Sequence, residues 1–230
     1  LGMYLFLMGK YLGKTENTDL PESWKKGISL ALKKIQSLMQ DGITQVSEEN
    51  TTVYLMDNLE VWKGLYELEH AGLKDVKAIS EMRNKLQAQI EKIFWDDANQ
   101  RWRIIGNSDR YHQTEFYPYG VAQIYPLIYE IPVKEKKKQK ILYEQFTEKF
   151  QWQKLNKKRS GFLWAMTGMA AAQMGDINNL VELIRNYETK YCENRKYPLY
   201  TGEAGWICME CEKLYELYER KIKTAFIPCI

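Results

Sequence analysis

Gly161-Phe-Leu-Trp-Ala-Met-Thr-Gly-Met-Ala-Ala-Ala-Gln-Met174 is almost wholly apolar, stops at Gly175, and is followed by Asp176 and a charged stretch running to about Cys192. A helix that is apolar on nearly all sides must be buried on all sides, whereas a helix with one apolar face lies outside such a core. Gly175 supplies the left-handed residue that commonly ends a helix. Asp176 is of the type whose side chain accepts a bond from the unpaired N–H groups at a helix start. The stretch therefore reads as a single hairpin of inner helix, tight turn and outer helix.

The same pair recurs along the chain. Leu1–Leu12 is apolar and ends at Gly13; Asp19-Leu-Pro-Glu22 opens an amphipathic stretch to about Gln40, stopped by Gly42. A polar loop over residues 43–53 leads to Tyr54–Ala71, closed by Gly72, and then to the charged stretch Asp75–Phe94. Arg101–Ile105, flanked by Asn99 and Gly106-Asn107, predicts a short extended piece. Glu115–Tyr129 is aromatic and apolar, with Pro118 in its first turn and Pro126 placed to kink it. Lys134–Phe150 is amphipathic, and a loop containing Pro198 and Gly202 leads to a last long helix from about Ala204 to Thr224.

Apolar helices thus begin near residues 1, 54, 115, 160 and 204, and charged ones near 21, 75, 134 and 177. This alternation predicts an all-α chain of about nine helices in two concentric layers, an (α/α) toroid, with the apolar set most buried. Gly2 to Gly9 aligns with Gly161 to Gly168, and Gly64 holds a similar mid-helix place. An interior glycine costs about 1 kcal/mol relative to alanine. Close approach of neighbouring inner helices is the reason expected for it.

With 45% hydrophobic residues in 230, a sizeable core can form. Mean hydropathy is −0.51, and no apolar run reaches the roughly 18 residues of a membrane span. A net charge of +3 is too small to imply nucleic acid. The run Lys134–Lys140 has no interleaved aromatics and reads as a solvated helix face. Cys208 and Cys211 form a CxxC inside a helical pattern, with no second pair and no nearby histidine; Cys192 and Cys229 complete the set. Neither a zinc site nor a disulfide framework is expected. His70 and His112 lie far apart, so no metal and no cofactor is predicted. Asn50-Thr-Thr52 matches a short glycosylation acceptor pattern. Position 1 is Leu inside a helical pattern without signal-peptide features. The chain is read as a single domain over 1–230, the C-terminal part of a longer protein. Any signal would lie upstream, and an extracellular or cell-surface place is favoured over a cytoplasmic one.

Four segments carry a resemblance: Tyr54-Leu-Met-Asp-Asn-Leu-Glu-Val-Trp-Lys-Gly-Leu, Glu115-Phe-Tyr-Pro-Tyr-Gly-Val-Ala-Gln-Ile-Tyr-Pro-Leu, Ser160-Gly-Phe-Leu-Trp-Ala-Met-Thr-Gly, and Tyr197-Pro-Leu-Tyr-Thr-Gly-Glu-Ala-Gly-Trp. As a pattern of inner-helix starts, they resemble the six-hairpin glycosidase superfamily, and most nearly bacterial endo-acting enzymes of the glycoside hydrolase family 8 type. The resemblance implies a twelve-helix toroid with three helices missing at the N-terminus. It also implies a poly- or oligosaccharide partner and, by its family 8 pattern, an acid residue early in the toroid, in the absent part. The open ring edge would be covered by that missing segment or by self-association.

Glycoside hydrolysis generally uses two carboxyl groups, one a protonated acid and one that activates water or attacks. Three carboxyls stand at loop-to-inner-helix junctions: Asp57, Glu115 and Glu203. Each has an ordinary alternative as a first-turn charge facing the helix dipole. Asp57 is the expected base. Tyr54, Asn58, Tyr117, Tyr119, Trp164, Tyr200 and Trp206 are the expected substrate-binding residues, since aromatic faces stack on the C–H face of a sugar while amides bind hydroxyls. Asp96 and Asp97 read as loop or cap residues. The alternative to a glycosidase is a non-catalytic carbohydrate-binding or scaffold protein with a degenerate toroid. Epimerases of this shape, which the resemblance associates with histidine pairs, fit His70 and His112 poorly.

Overall fold

The computed structural model describes residues 1–15, 20–72, 76–106, 108–112, 114–134, 136–155, 165–194 and 200–225, with residues 76 and 222–225 described by their backbone alone. Among these the chain is mostly helical, with very little strand. Nine α-helices are present: α1 (Gly2–Thr15), α2 (Glu22–Leu38), α3 (Leu55–His70), α4 (Val76–Phe94), α5 (Tyr125–Ile128), α6 (Lys136–Phe150), α7 (Thr167–Met174), α8 (Ile177–Tyr187) and α9 (Thr201–Ala225). They correspond in order to the nine predicted segments, although α5 occupies only the end of the fifth. The fold divides into two compact units, one of residues 1–112 with 131–133, the other of residues 113–130 with 134–230.

In the first unit α1 and α3 pack in parallel at very close range. A Cβ on Gly2 would lie 2.5 Å from the Glu60 carbonyl, and one on Gly9 would lie 2.6 Å from the carbonyl carbon of Glu67. Equal steps along both helices in the same sense mean parallel axes. Gly64 in turn faces the Gly2 carbonyl. The glycines are therefore there to let two helices touch backbone to backbone, as their sequence positions predict. Gly13 does not end α1, which runs on to Thr15.

The charged helices run the other way. Tyr4 meets Gly27 of α2 while Tyr11 meets Trp24, ring centroids 5.4 Å apart. Trp62 Nε1 donates to Gln87 at 3.3 Å, while Ser80 and Arg83 of α4 both reach Glu69. Both pairs are antiparallel.

Two small hairpins brace this unit. β1 (Met39–Gln40) and β2 (Ile43–Thr44) flank Asp41-Gly42, both at positive φ, 49° and 84°. That is the Asp-Gly pattern of a tight hairpin turn; the sequence reading ended a helix there. β3 (Trp95–Asp96) pairs with β4 (Arg101–Trp102), the short extended piece predicted over Arg101–Ile105. Asp96 is buried and accepts bonds from Asn99 Nδ2 at 2.8 Å and Arg101 Nε at 3.3 Å, with Arg103 at 3.4 Å. These bonds keep its carboxyl below the usual range despite burial. Asp96 is thus the structural loop residue it was read as.

In the second unit the predicted fifth helix is broken. Residues Phe116–Gly120 form a π-helical turn, with a cis Tyr117–Pro118 bond and Tyr117 in extended conformation, before α5 begins. Proline has no N–H to continue a helix, and this segment carries Pro118 and Pro126. Antiparallel to it runs α6: Gln139 Nε2 donates to the Gln123 carbonyl at 2.8 Å, and Phe146 and Phe150 pack on Phe116. Helices α6 and α8 share a direction, tied by Tyr143 Oη to Asp176 at 2.8 Å and by Asn186 to the Gln153 carbonyl at 2.8 Å. Asp176 also caps α8 through the Asn179 amide, as predicted. The ends of α5 and α7 lie beside the middle of α9: Glu130, after α5, contacts Gln173 of α7 and lies 3.6 Å from Lys213 of α9.

The apolar helices were expected to be the most buried. That holds for α3 and α7. It fails for α9, whose Tyr215 and Tyr218 are exposed and whose buried residues are both glutamates, Glu203 and Glu210. α1 is intermediate, with Leu7 and Tyr11 exposed. No helix of the described residues is long and apolar enough to cross a membrane.

Candidate functional site

The site is built where α9 begins beside the start of α7. Glu203 lies in the first turn of α9, where a helix dipole favours negative charge. Its Oε2 accepts the Ala165 amide at 2.9 Å and the Tyr187 hydroxyl. Ala165 lies two residues ahead of α7, whose N-cap is Met166, so Glu203 ties down the chain as it enters that helix. Burial still pushes its carboxyl above the ordinary glutamate value, with the Tyr187 and Ala165 bonds pulling back. The Tyr187 phenol is pushed strongly up, by burial first and then by Glu203. One oxygen is thus anchored twice while Oε1 accepts no bond among the described residues. Such a carboxyl can keep its proton to a higher pH than a free one, and can give it up through the unanchored oxygen.

Of the aromatic residues near Glu203, Tyr187 bonds its carboxyl and Tyr191 feels its charge. Tyr187 stacks on Tyr191 with centroids 5.3 Å apart, and Lys190 lies 5.2 Å over the Tyr191 ring. Trp206, half-buried one turn beyond Glu203, meets Tyr129 edge-on at 6.4 Å. Tyr200 is exposed, and its carbonyl accepts the Ala204 amide at 3.0 Å.

Two turns beyond Glu203, Glu210 is fully buried with both carboxyl oxygens unbonded. Burial and then the Glu203 charge hold its pKa well above the ordinary range.

The other predicted residues are placed as follows. Glu115 is exposed ahead of the π turn, and its carbonyl, not its carboxyl, accepts the Gly120 amide at 3.0 Å. Tyr117 is exposed and Tyr119 half-buried. Asp57 is exposed in the first turn of α3, with protein crowding it on one side and raising its pKa. Tyr54 precedes α3 and pairs with Ile105 in a lone antiparallel bridge. Asn58 differs from expectation. It is fully buried, accepts from Thr44 N at 2.8 Å and Thr44 Oγ1 at 2.7 Å, and donates to the carbonyls of Thr44 at 3.0 Å and Tyr54 at 2.9 Å. Its amide is spent on fastening β2 to α3, and no capacity is left for a sugar hydroxyl. Trp164 lies outside the described residues. Asp57, Tyr54 and Asn58 belong to the first unit; Glu115, Glu203 and the other aromatics belong to the second.

The sequence reading missed Tyr187 and Glu210. Nothing marks Tyr187 among 16 tyrosines. Glu210 could have been found from its spacing: it repeats the helical phase of Glu203 two turns on, facing a helix that carries Gly168. Among the described residues no group of three or more His, Cys, Asp or Glu could hold a metal ion. No protein-family model, curated protein or solved structure matches the chain.

Proposed function

We propose that the chain is a glycoside-hydrolase-like protein of (α/α) toroid type, acting on a poly- or oligosaccharide by carboxylate acid/base catalysis. The observation that carries this reading is Glu203: a carboxyl anchored through one oxygen, raised in pKa by burial, with the stacked Tyr187 and Tyr191 beside it. A raised carboxyl is what protonation of a glycosidic oxygen requires, and aromatic side chains supply the apolar faces on which sugar rings stack. The alternating helix directions within each unit support a toroid. Asp57 is the proposed base and Glu115 a further candidate carboxyl.

A second reading, a non-catalytic carbohydrate-binding protein, is favoured by one specific feature. The bond from Glu203 to the Ala165 amide already gives that carboxyl a structural task. The two readings separate in one experiment. The protein, Glu203→Gln and Asp57→Asn are incubated with a panel of plant and bacterial polysaccharides, and new reducing ends and retention on the same polysaccharides are measured. Gln keeps an acceptor for Ala165, so the fold should survive. Hydrolysis by the parent chain that each variant loses by about 100-fold or more, with retention intact, supports the enzyme. Retention without hydrolysis supports the binding protein. Hydrolysis at the parent rate by Glu203→Gln removes Glu203 from the mechanism, and neither hydrolysis nor retention removes both readings.

A further inference from the structure

Glu210 has no place in that mechanism, and its surroundings are unusual for a glutamate. It is fully buried, and neither oxygen has a hydrogen-bond partner among the described residues. The carboxyl lies on Gly168 of α7 in the space where a side chain there would stand, so that a Cβ would overlap it. The groups facing it can be taken element by element. From α7 come the Gly168 amide, already donating to the Ala165 carbonyl at 3.0 Å, and a helix with no charged residue. On its own helix, the titratable neighbours are Glu203 and Cys211. From α8 comes the Tyr187 phenol. Lys213, one turn on along α9, is paired with Glu130 and Glu216 instead, so among the described residues the groups acting on Glu210 are anionic or neutral.

The Gly168 amide, shared with the Ala165 carbonyl, favours the charged form only slightly against burial and Glu203; a carboxylate buried with so little compensation is very costly, so something must neutralise it. A hard metal ion takes six or more oxygen ligands, and the notch at Gly168 is filled by the carboxyl itself. A proton needs no such room.

We propose that Glu210 docks α9 on α7 only as the neutral acid, and that loss of its proton to solvent releases this part of α9. Release breaks the Ala165–Glu203 and Tyr187–Glu203 bonds with it. The direction follows from linkage. Docked, Glu210 holds its proton well above the ordinary value of 4.5; released, it returns to that value. Docking is therefore at full strength below the ordinary value and weakens as pH rises, by up to about tenfold per pH unit, until the docked pKa is passed. Glu203, also raised, acts in the same direction, so the test must isolate Glu210.

Glu210→Gln does so, because it keeps the shape of the neutral acid and cannot ionise. Amide hydrogen exchange of α7 and α9 is followed in both proteins from about pH 5 to about pH 8, above the ordinary carboxylate range, after correction for intrinsic exchange. Protection of α9 should fall with pH by up to about tenfold per unit in the parent protein and distinctly less steeply in Glu210→Gln. Equal slopes overturn the proposal. If the variant does not fold, carboxyl-carbon NMR of the parent protein decides: Glu210 still protonated near neutral pH upholds the proposal, and titration near 4.5 overturns it.

Discussion

The backbone of Gly64 on α3 meets the carbonyl of Gly2 on α1 so closely that no Cβ fits between them. Gly64→Ala should therefore destabilise the protein by about 1–3 kcal/mol through overpacking, although alanine is the better helix former. The control is Gly13→Ala, also within α1 but with nothing inside 4 Å, which should stabilise by about 0.5–1 kcal/mol. Urea denaturation of both variants checks this; equal and small effects would mean that the helices are not in backbone contact.

Asn58 should behave as a structural clamp. Asn58→Ala leaves the buried Thr44 amide and hydroxyl without their acceptor, at a cost of about 2–3 kcal/mol. The loss should appear in the urea midpoint, with saccharide retention by the folded fraction unchanged. Lost retention in a variant of parental stability would restore Asn58 to the binding site.

Asp96 links the β3–β4 hairpin to acid stability. Its carboxyl is held below the ordinary value of 3.8, by the Asn99 side chain first and then, against burial, by the Asn99 amide, Arg103 and Arg101. A depressed carboxylate contributes stability above its unfolded value, and that stability is lost as pH falls through the folded one. Asp96→Asn should thus have a lower Tm than the parent at pH 7, and the two curves should converge as pH falls past the lowered folded-state pKa of Asp96. Parallel curves down to the acid limit would show that Asp96 contributes through shape alone.

Tyr187 should tune Glu203. Its hydroxyl favours the charged form of that carboxyl against burial, so Tyr187→Phe should raise the Glu203 pKa further. Carboxyl-carbon NMR measures this directly, and a fall in the Glu203 pKa would reverse the assignment.

How far the sequence revealed the fold depended on whether the signal was periodic. Apolar repeats of helical period are spread over many residues, so nine segments were legible despite uncertain ends. The aligned glycines foretold backbone contact because an interior glycine is costly without one. Pro118 and Pro126 marked the fifth segment as interrupted, but residue types did not say which of its positions would leave the helix. The β1–β2 hairpin was hidden because two-residue strands carry no alternation, although Asp41-Gly42 was a usable turn signal. For α9, apolar residues such as Tyr215 and Tyr218 suggested an inner helix, whereas its buried positions are acidic. Glu210, between Met209 and Cys211, looks like a solvent-facing residue until Gly168 is known to lie opposite. Asn58 was legible as a polar residue in an apolar helix, but the partner that occupies it, Thr44, is far along the chain.

The parallel packing of α1 on α3 also bears on the order in which the chain acquires its structure. Antiparallel partners such as α3 and α4 are joined by a short connection and meet with little loss of chain entropy. Parallel helices need the chain to return between them: α1 reaches α3 only after α2 and the β1–β2 hairpin have carried the chain back to the same end. The closest contact in this unit is therefore one of its least local. Contacts of that kind slow folding, so α3 with α4 should organise first and the glycine-lined seam should close late. Substitutions at Gly2, Gly9 and Gly64 would then act mainly by speeding unfolding, leaving the folding rate nearly unchanged.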